Sequence, residues 1–461
     1  MANILISYFS DYGESMYDAI SETLLKHGNN IFRININNKS FCITEWGGES
    51  RVSDFDIINK IKLFKPDLVL NFNNSLPLEI YSSLNKKCQI CILDADNPET
   101  FWNKAFLLKN KRKYKFLGFQ SFSKNMYEKF LGIKLGSSKF LYFPPATVVT
   151  NKKIVQDKNI SFIGSNFYPL SIPEEECFYS KNALRLYDKF RKNYFYDIVD
   201  AKKDFNYDNN KINYLFEKVR AYYVGQERLK YMQEIEDLGF VFYGVRWWNH
   251  IAYYDFELAK CFDPSEKITL DDNSWVYNSS KISINISHPQ AKTSFSWRVM
   301  DIMASNSCLL MEDKPDWRNL FEQYLSFETL NSVIYKDRFD MRTKAIKLLN
   351  NNTLRQQCVK ELNWAIEKNG RWEHRFASLE RLVNLKLLNI GKSGMYHFIE
   401  RDQAIIKEKR CKKNKTNLNF YKRYKLITYL FISLMIRLCY IDTFATKKSE
   451  KFLKKILKYW Y

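Results

Sequence analysis

Glycine is scarce in this chain, 14 of 461 residues, about 3% where about 7% is usual. Neither G-x-G-x-x-G nor G-x-x-x-x-G-K-[ST] occurs, which excludes the dinucleotide fingerprint and the P-loop as phosphate cradles. No apolar run reaches 18 residues, so no conventional spanning helix is expected. The N-terminus lacks the basic flank and long apolar stretch of a secretory signal, and Asn3–Phe9 is expected to be a first strand instead. The nine cysteines are odd in number and irregular in spacing, which suits reduced thiols of a cytoplasmic protein better than a disulfide framework. Cys88 and Cys91 form one C-x-x-C with no second pair, and His27 is a poor complement to it. The two thiols are expected to flank a buried strand, and no metal site is expected.

What is present is a large apolar fraction and an uneven charge. Hydrophobic residues make up 46% of the chain, enough for real cores, and the length favours two or three domains. The net charge is +21, and residues 401–461 hold 17 Lys/Arg against 4 Asp/Glu. The tail alone therefore carries +13, leaving +8 for the first 400 residues. A basic tail of this kind is an attachment device. Within it Leu426–Tyr440 is a 15-residue apolar run holding one Arg, flanked by lysine clusters. That run suits a helix lying in the headgroup region of an anionic membrane surface. A basic surface helix packed on protein has the same pattern. Nucleic acid is disfavoured, because the aromatics follow core periodicity and do not interleave with basic residues.

Residues 1–150 alternate short apolar runs (3–9, 31–36, 68–72, 88–94, 115–120) with amphipathic stretches (15–27, 54–64), the pattern of βαβ units on a parallel sheet. Phe143-Pro-Pro-Ala146 and the polar residues after it are expected to be a linker. A second α/β series occupies 151–385, with strands expected at 160–165, 239–244, 281–287 and 308–312 and helices at 226–238 and 295–305. A tyrosine- and lysine-rich stretch at about 175–225 is expected to be a helical insertion. The fold class expected is α/β, two Rossmann-like parallel-sheet domains facing across a cleft, followed by a basic amphipathic tail, 386–461.

The strongest constellation runs from Ala291 to Glu312. Strand ends and the loops after them are where α/β folds hold phosphates. Arg298, in the first turn of the expected helix, is set against the helix dipole, a placement that a bidentate pyrophosphate ligand would justify. Asp301 could reach the same cleft to accept from ribose hydroxyls. The i,i+3 spacing equally suits a surface ion pair. In the first domain Asp94 and Asp96 end a strand, where a carboxylate could act as base or orient an acceptor; Asp-Asn-Pro also favours a turn by itself. Gly13-Glu14-Ser15, at the first strand-to-helix turn, could meet a phosphate or an acceptor, or Ser15 could merely cap the helix. His288 lies beside the proposed phosphate loop, and His250 follows Arg246-Trp-Trp-Asn in a loop. His27 is expected at a helix C-terminus.

These segments, in this order, resemble CgeB-like (spore-maturation-protein-like) glycosyltransferases of the GT-B class over about residues 1–385. The resemblance rests on Asp94-Ala-Asp-Asn-Pro-Glu-Thr-Phe101, Phe143-Pro-Pro-Ala146, Ile160-Ser-Phe-Ile-Gly-Ser165, Phe240–Trp247, the Arg298 segment and Arg371-Trp-Glu-His-Arg375. It implies sugar transfer from a nucleotide-sugar donor to an acceptor hydroxyl, without a cofactor or tightly held metal. The donor would bind the second domain through Arg298, Asp301, Lys292, Thr293, Ser294, His288, Gly164 and Arg246. The acceptor, a glycan, lipid-linked or protein molecule, would bind the first. With the tail, this points to a cell-envelope acceptor at the cytoplasmic membrane face; a degenerate scaffold that binds a glycan or protein partner is the alternative. Two departures stand out. Thr293 occupies the position eight before Asp301 where many GT-B enzymes carry an acid, and Asn306 stands where a small Gly is usual.

Overall fold

The computed structural model describes residues 1–406, apart from 11–13, 45–46, 167–179, 194–195, 206–208, 245–247, 249–250, 252–254, 266, 268, 392 and 403–404. The expected Leu426–Tyr440 helix therefore lies outside the described residues, as do Gly13, Arg246 and His250. Among the described residues no helix is long and apolar enough to cross a membrane.

The strands are β1 (Asn3–Tyr8), β2 (Asn30–Asn35), β3 (Phe41–Ile43), β4 (Ser50–Val52), β5 (Leu68–Phe72), β6 (Gln89–Asp94), β7 (Lys115–Gly118), β8 (Phe140–Tyr142), β9 (Lys158–Ile163), β10 (Phe240–Tyr243), β11 (Ser280–Asn285), β12 (Cys308–Glu312), β13 (Ile334–Tyr335), β14 (Tyr396–Ile399) and β15 (Ile405–Ile406). They make a seven-stranded sheet in the order β14-β2-β1-β5-β6-β7-β8 and a five-stranded sheet in the order β10-β9-β11-β12-β13. Every pair within these two sheets is parallel. The fold class is thus the expected one, α/β with two Rossmann-like parallel sheets. The continuous apolar runs explain it: strands such as Ile4–Tyr8 and Leu68–Phe72 are buried along their length, as strands covered by helices on both faces must be.

In both sheets the strand order reverses beside the opening strand. The chain goes from β9 to β10 on one side and then to β11 on the other, and likewise from β1 to β2 and then to β5. The gaps β9/β11 and β1/β5 are the switch points, where the loops at the carboxyl ends part and a ligand can enter.

The expected insertion is helical, with Lys181–Lys192 and Ile198–Asp204 preceding a 25-residue helix, Asn209–Gln233. The helix expected at 226–238 is the end of this longer one, so the insertion is welded to the second domain. The short pieces Ala183, Leu186, Phe190, Phe216 and their neighbours have a small apolar core of their own.

After the second sheet the chain returns. Helix Trp372–Val383 buries Trp372, Phe376 and Leu379 in the core of the first sheet with Phe143. Residues 386–406, counted with the tail in the sequence reading, include β14, which extends the first sheet at its β2 edge. β15 then pairs with β3, which forms a small sheet with β4. Cys91 is buried in β6 and Cys88 precedes it, and burial pushes both thiols up to about 12.

Because Trp372 is fully buried in the first core, Trp372→Ala is expected to cost about 3–5 kcal/mol of stability. Urea unfolding of the full chain measures this. A loss well under 1 kcal/mol would mean that the returning helix does not hold the first core.

Candidate functional site

At the second switch point, the loops after β9 and β11 are bridged by an arginine from the long helix. Arg228 is buried, and its guanidinium donates to the Ser165 carbonyl and, at 3.3 Å, to that of Ile286. The helix can come this close because residue 225 is glycine: a Cβ there would lie 2.9 Å from the Asn166 carbonyl oxygen. Arg298, opening helix Arg298–Ala304, shares the Phe162 ring with Arg228, the two guanidiniums lying 5.6 and 5.8 Å from its centre. Such contacts are worth about 0.5–2 kcal/mol each. Arg298 donates to Asn285 Oδ1 at 3.4 Å, and among the described residues it is in no ion pair. Arg220, two turns earlier on the long helix, pairs with Glu217.

All three arginines lie near enough to His288 to act on its charge. Burial, then Arg220, Arg228 and Arg298 in turn, push its pKa well below the usual value. It is therefore neutral at pH 7, and since Nδ1 accepts from the Gln290 N–H at 3.2 Å, its proton belongs on Nε2. Glu312, ending β12, accepts from the Ser287 amide at 2.7 Å and its hydroxyl at 3.0 Å. The place combines guanidinium forks with a neutral imidazole donor, which suits a phosphate-bearing ligand.

The other expected donor residues divide. Gly164 belongs here: it follows β9, its carbonyl accepts from Trp248 Nε1 at 2.7 Å, and a Cβ would strike the Phe162 ring at 2.5 Å. Lys292 turns away to pair with Asp197 at 2.9 Å, at the start of an insertion helix. Thr293 and Ser294 form a seam with the first domain. Thr293 Oγ1 lies 3.0 Å from Asp316 Oδ2 and 3.1 Å from Ser121 Oγ, and the Ser294 hydroxyl donates to the Phe119 carbonyl at 2.9 Å. Asp301 is 5% exposed, and its carboxylate accepts from the Thr147 hydroxyl at 2.5 Å, in the segment joining the sheets. Burial pushes its pKa up to about 7, against the opposing pull of Thr147 and Arg298.

The two carboxylates that close β6 have opposite surroundings. Asp94 Oδ1 accepts from the Phe119 amide at 2.7 Å, so Asp94 secures the loop after β7 that makes the seam, and burial pushes it up to about 8. Asp96 faces Arg220. Its Oδ2 accepts from Asn73 Nδ2 at 2.7 Å, and, with the Gln290 side-chain amide assigned the orientation that gives its oxygen donors and its nitrogen acceptors, Oδ1 accepts from the Gln290 side-chain nitrogen at 3.2 Å. The Gln290 side-chain oxygen in turn accepts from both terminal nitrogens of Arg220 at 3.1 Å. Burial raises the Asp96 pKa and Arg220 opposes that rise. Glu14 and Ser15 are not part of this group. Glu14 accepts from Tyr8 at 2.6 Å, Arg33 at 2.8 Å and Asn35 at 2.9 Å, inside the first domain, and Ser15 is buried at the helix start. His27 ends that helix as expected.

Arg220, Arg228, Gln290, Glu312 and Asn73 were missed from sequence. The available signal was Gly225 between two arginines in a glycine-poor, tyrosine-rich helix, a mark of close backbone approach. Among the described residues no group of three His, Cys, Asp or Glu side chains could hold a metal ion.

Residues 226–381 match a family model described as glycosyl transferase-like. That segment carries four of the five strands of the second sheet, β10 to β13. Among solved structures the chain is similar to T4 phage BGT in complex with UDP and Mn2+, at 13% identity and a TM-score of 0.46, over 83% of this chain and 99% of that one. It is similar over the same shares, at 9% identity and 0.46, to an alpha-glucosyltransferase in complex with UDP-glucose and DNA containing an abasic site. The pneumococcal O-GlcNAc transferase GtfA, in complex with UDP and GlcNAc, matches at 12% identity and 0.40, over 72% of this chain and 60% of that one. No curated protein matches the sequence.

The buried Asp301 gives a test by pH. Its pKa is about 7 in the fold and near 3.8 in the open chain, so the folded state holds the proton more tightly. The stability this contributes is full below pH 4 and is lost as pH rises through 7. Asp301→Asn is expected to match wild type in urea midpoint at pH 4 and to exceed it at pH 8 by on the order of 1–4 kcal/mol. Equal midpoints at pH 8 would mean that the charged carboxylate is fully compensated.

Proposed function

We propose that this protein transfers a sugar from a nucleotide-sugar donor to an acceptor hydroxyl, with residues 151–385 as donor side and 1–150 as acceptor side. The observation that carries the reading is the meeting of Arg298, Arg228 and Arg220 around neutral His288 at one switch point, with Asp96 facing them from the other domain. The donor diphosphate binds the guanidiniums, beside Gly164 and His288. Asp301, held by Thr147, braces the helix that presents Arg298. Asp96 takes the acceptor proton, the acceptor oxygen bonds to the sugar's anomeric carbon, and the bond from that carbon to the phosphate oxygen breaks, leaving its electron pair on the diphosphate. Fixed guanidiniums stabilise that developing charge without needing to reorganise.

The finer reading is a CgeB-like enzyme acting on a cell-envelope or lipid-linked acceptor at the cytoplasmic membrane face. Its support is the +13 carried by residues 401–461 and the route by which the chain reaches them. β15 pairs with β3, and the β3–β4 hairpin touches the segment that follows Asp96, where the Asn103 amide donates to the Gly48 carbonyl at 2.7 Å.

A calorimetric screen of UDP-, GDP-, ADP-, CMP- and dTDP-sugars tests the donor site. One nucleotide sugar is expected to bind, and Arg298→Ala is expected to weaken it at least tenfold. Asp96→Asn should leave that binding intact and lower transfer by about 10²–10⁴-fold. Unchanged donor binding by folded Arg298→Ala would remove the arginine site. Absence of any binding by the folded wild type would favour the degenerate scaffold.

Removing residues 407–461 is expected to release the protein from anionic vesicles and to spare donor binding. Vesicle binding that survives the deletion would remove the anchor.

A further inference from the structure

We propose that Asn73 is the positioning residue for Asp96, holding Oδ2 so that Oδ1 is the oxygen offered to the acceptor hydroxyl. The inference rests on the reading of Asp96 as the base.

Asn73 follows β5 directly, at the switch point of the first sheet. It and Asn74 are consecutive left-handed residues, with φ of 50° and 55°. Such a conformation costs about 1–2 kcal/mol per residue for most side chains and least for Asn and Gly. The turn persists because its surroundings overdetermine it. The Asn73 amide donates to Leu93 at 2.8 Å, and its carbonyl accepts from Trp102 at 3.0 Å. Asn74, fully buried, donates to the Trp102 carbonyl at 2.7 Å and accepts from the Tyr81 hydroxyl at 2.6 Å. Asn74 thus secures the turn, and the Asn73 side chain is left for Asp96.

That contact is reciprocal. Asn73 Nδ2 donates to Asp96 Oδ2 at 2.7 Å while Asn73 Oδ1 accepts from the Asp96 amide at 3.0 Å. The Asn73 side chain cannot rotate without losing both bonds, and the Asp96 carboxylate cannot rotate without losing the first. The partner of Oδ1 differs in kind: Gln290 reaches it from the opposite domain at 3.2 Å, and the same amide is tied to Arg220. When Arg220 engages a diphosphate, the Gln290 contact is the one that gives way, and an acceptor hydroxyl takes its place. The other groups bearing on Asp96 are Arg220 and Glu217 on the long helix, Tyr17 on the first helix, Asp94 on its own strand, and His288 behind Gln290.

The test uses the full chain with aspartate carboxyls labelled with 13C, the Asp96 signal being assigned by its loss in Asp96→Asn. Asn73→Gly keeps the left-handed turn and removes the clamp; Asn73→Asp keeps the shape and adds a like charge. Loss of a donated hydrogen bond raises a carboxyl pKa, and a neighbouring carboxylate raises it further. The Asp96 midpoint is expected to rise by about one pH unit in Asn73→Gly and by more in Asn73→Asp. Turnover of UDP-glucose, the probe, should fall about tenfold at pH 7, its acid limb moving up with the midpoint. Unchanged midpoints in both folded variants overturn the inference, whether or not UDP-glucose is turned over. If Asp96→Asn retains sugar transfer, the base reading falls instead, independently of what Asn73 does.

Discussion

The arrangement depends on the gathering of three guanidiniums, Arg228 buried and Arg220 and Arg298 half-buried, around one histidine. Charges so placed lose hydration and repel one another, a cost of several kcal/mol per ion in real proteins. The protein offsets it piecemeal. Arg228 is bound by carbonyls just past the ends of two strands, Arg220 by Glu217, and Arg298 and Arg228 lie over one phenylalanine ring. Arg298 is the least compensated of the three, with one long hydrogen bond among the described residues. A site built this way gains most from a ligand that brings its own negative charge. It also explains the neutral histidine at its centre, since a fourth cation there would have no counter-charge.

The same charge organises the meeting of the domains. Asp96 is the first-domain carboxylate that answers the arginines, through Gln290, and the seam of Ser121, Thr293, Ser294 and Asp316 brackets that contact. Behind the cleft, the joining segment is bound on two sides, by Asp301 to Thr147 and by Arg375 to the Pro144 carbonyl at 3.0 Å. Helix Trp372–Val383 then returns to the first core. Contacts at the front are polar and part-exposed, whereas those behind combine buried hydrogen bonds with the apolar packing of the returning helix.

Much of the fold was legible because buried parallel strands carry their signal locally. Leu68–Phe72 and Cys308–Glu312 occur where expected, and the two-series pattern alone implied two sheets. β14 and β13 were not legible: β13 is two residues long, and β14 pairs with β2, from the far end of the chain. The candidate site was legible in its landmarks, Arg298, Gly164, His288 and Asp96, but not in its partners. Lys292, Thr293 and Ser294 stand beside Arg298 in sequence, yet the loop turns them towards the insertion and the first domain. Arg220 and Arg228 lie some 70 residues earlier in a stretch whose lysines and tyrosines gave no reason to single them out.

Asp94 and Asp96 show why sequence spacing could not divide labour between them. The first still belongs to β6, opposite Gly118 of β7, so its side chain is committed to the neighbouring strand's loop and reaches the Phe119 amide. Two residues on, pairing has ended and the chain is free to bend. Asn73, the residue after the β5 strand end, is then the nearest fixed partner, and it catches both the Asp96 amide and its carboxylate. The one carboxylate therefore holds the wall of the cleft and the other looks across it. What separates them is where the β6–β7 ladder stops, a property of the sheet rather than of either aspartate.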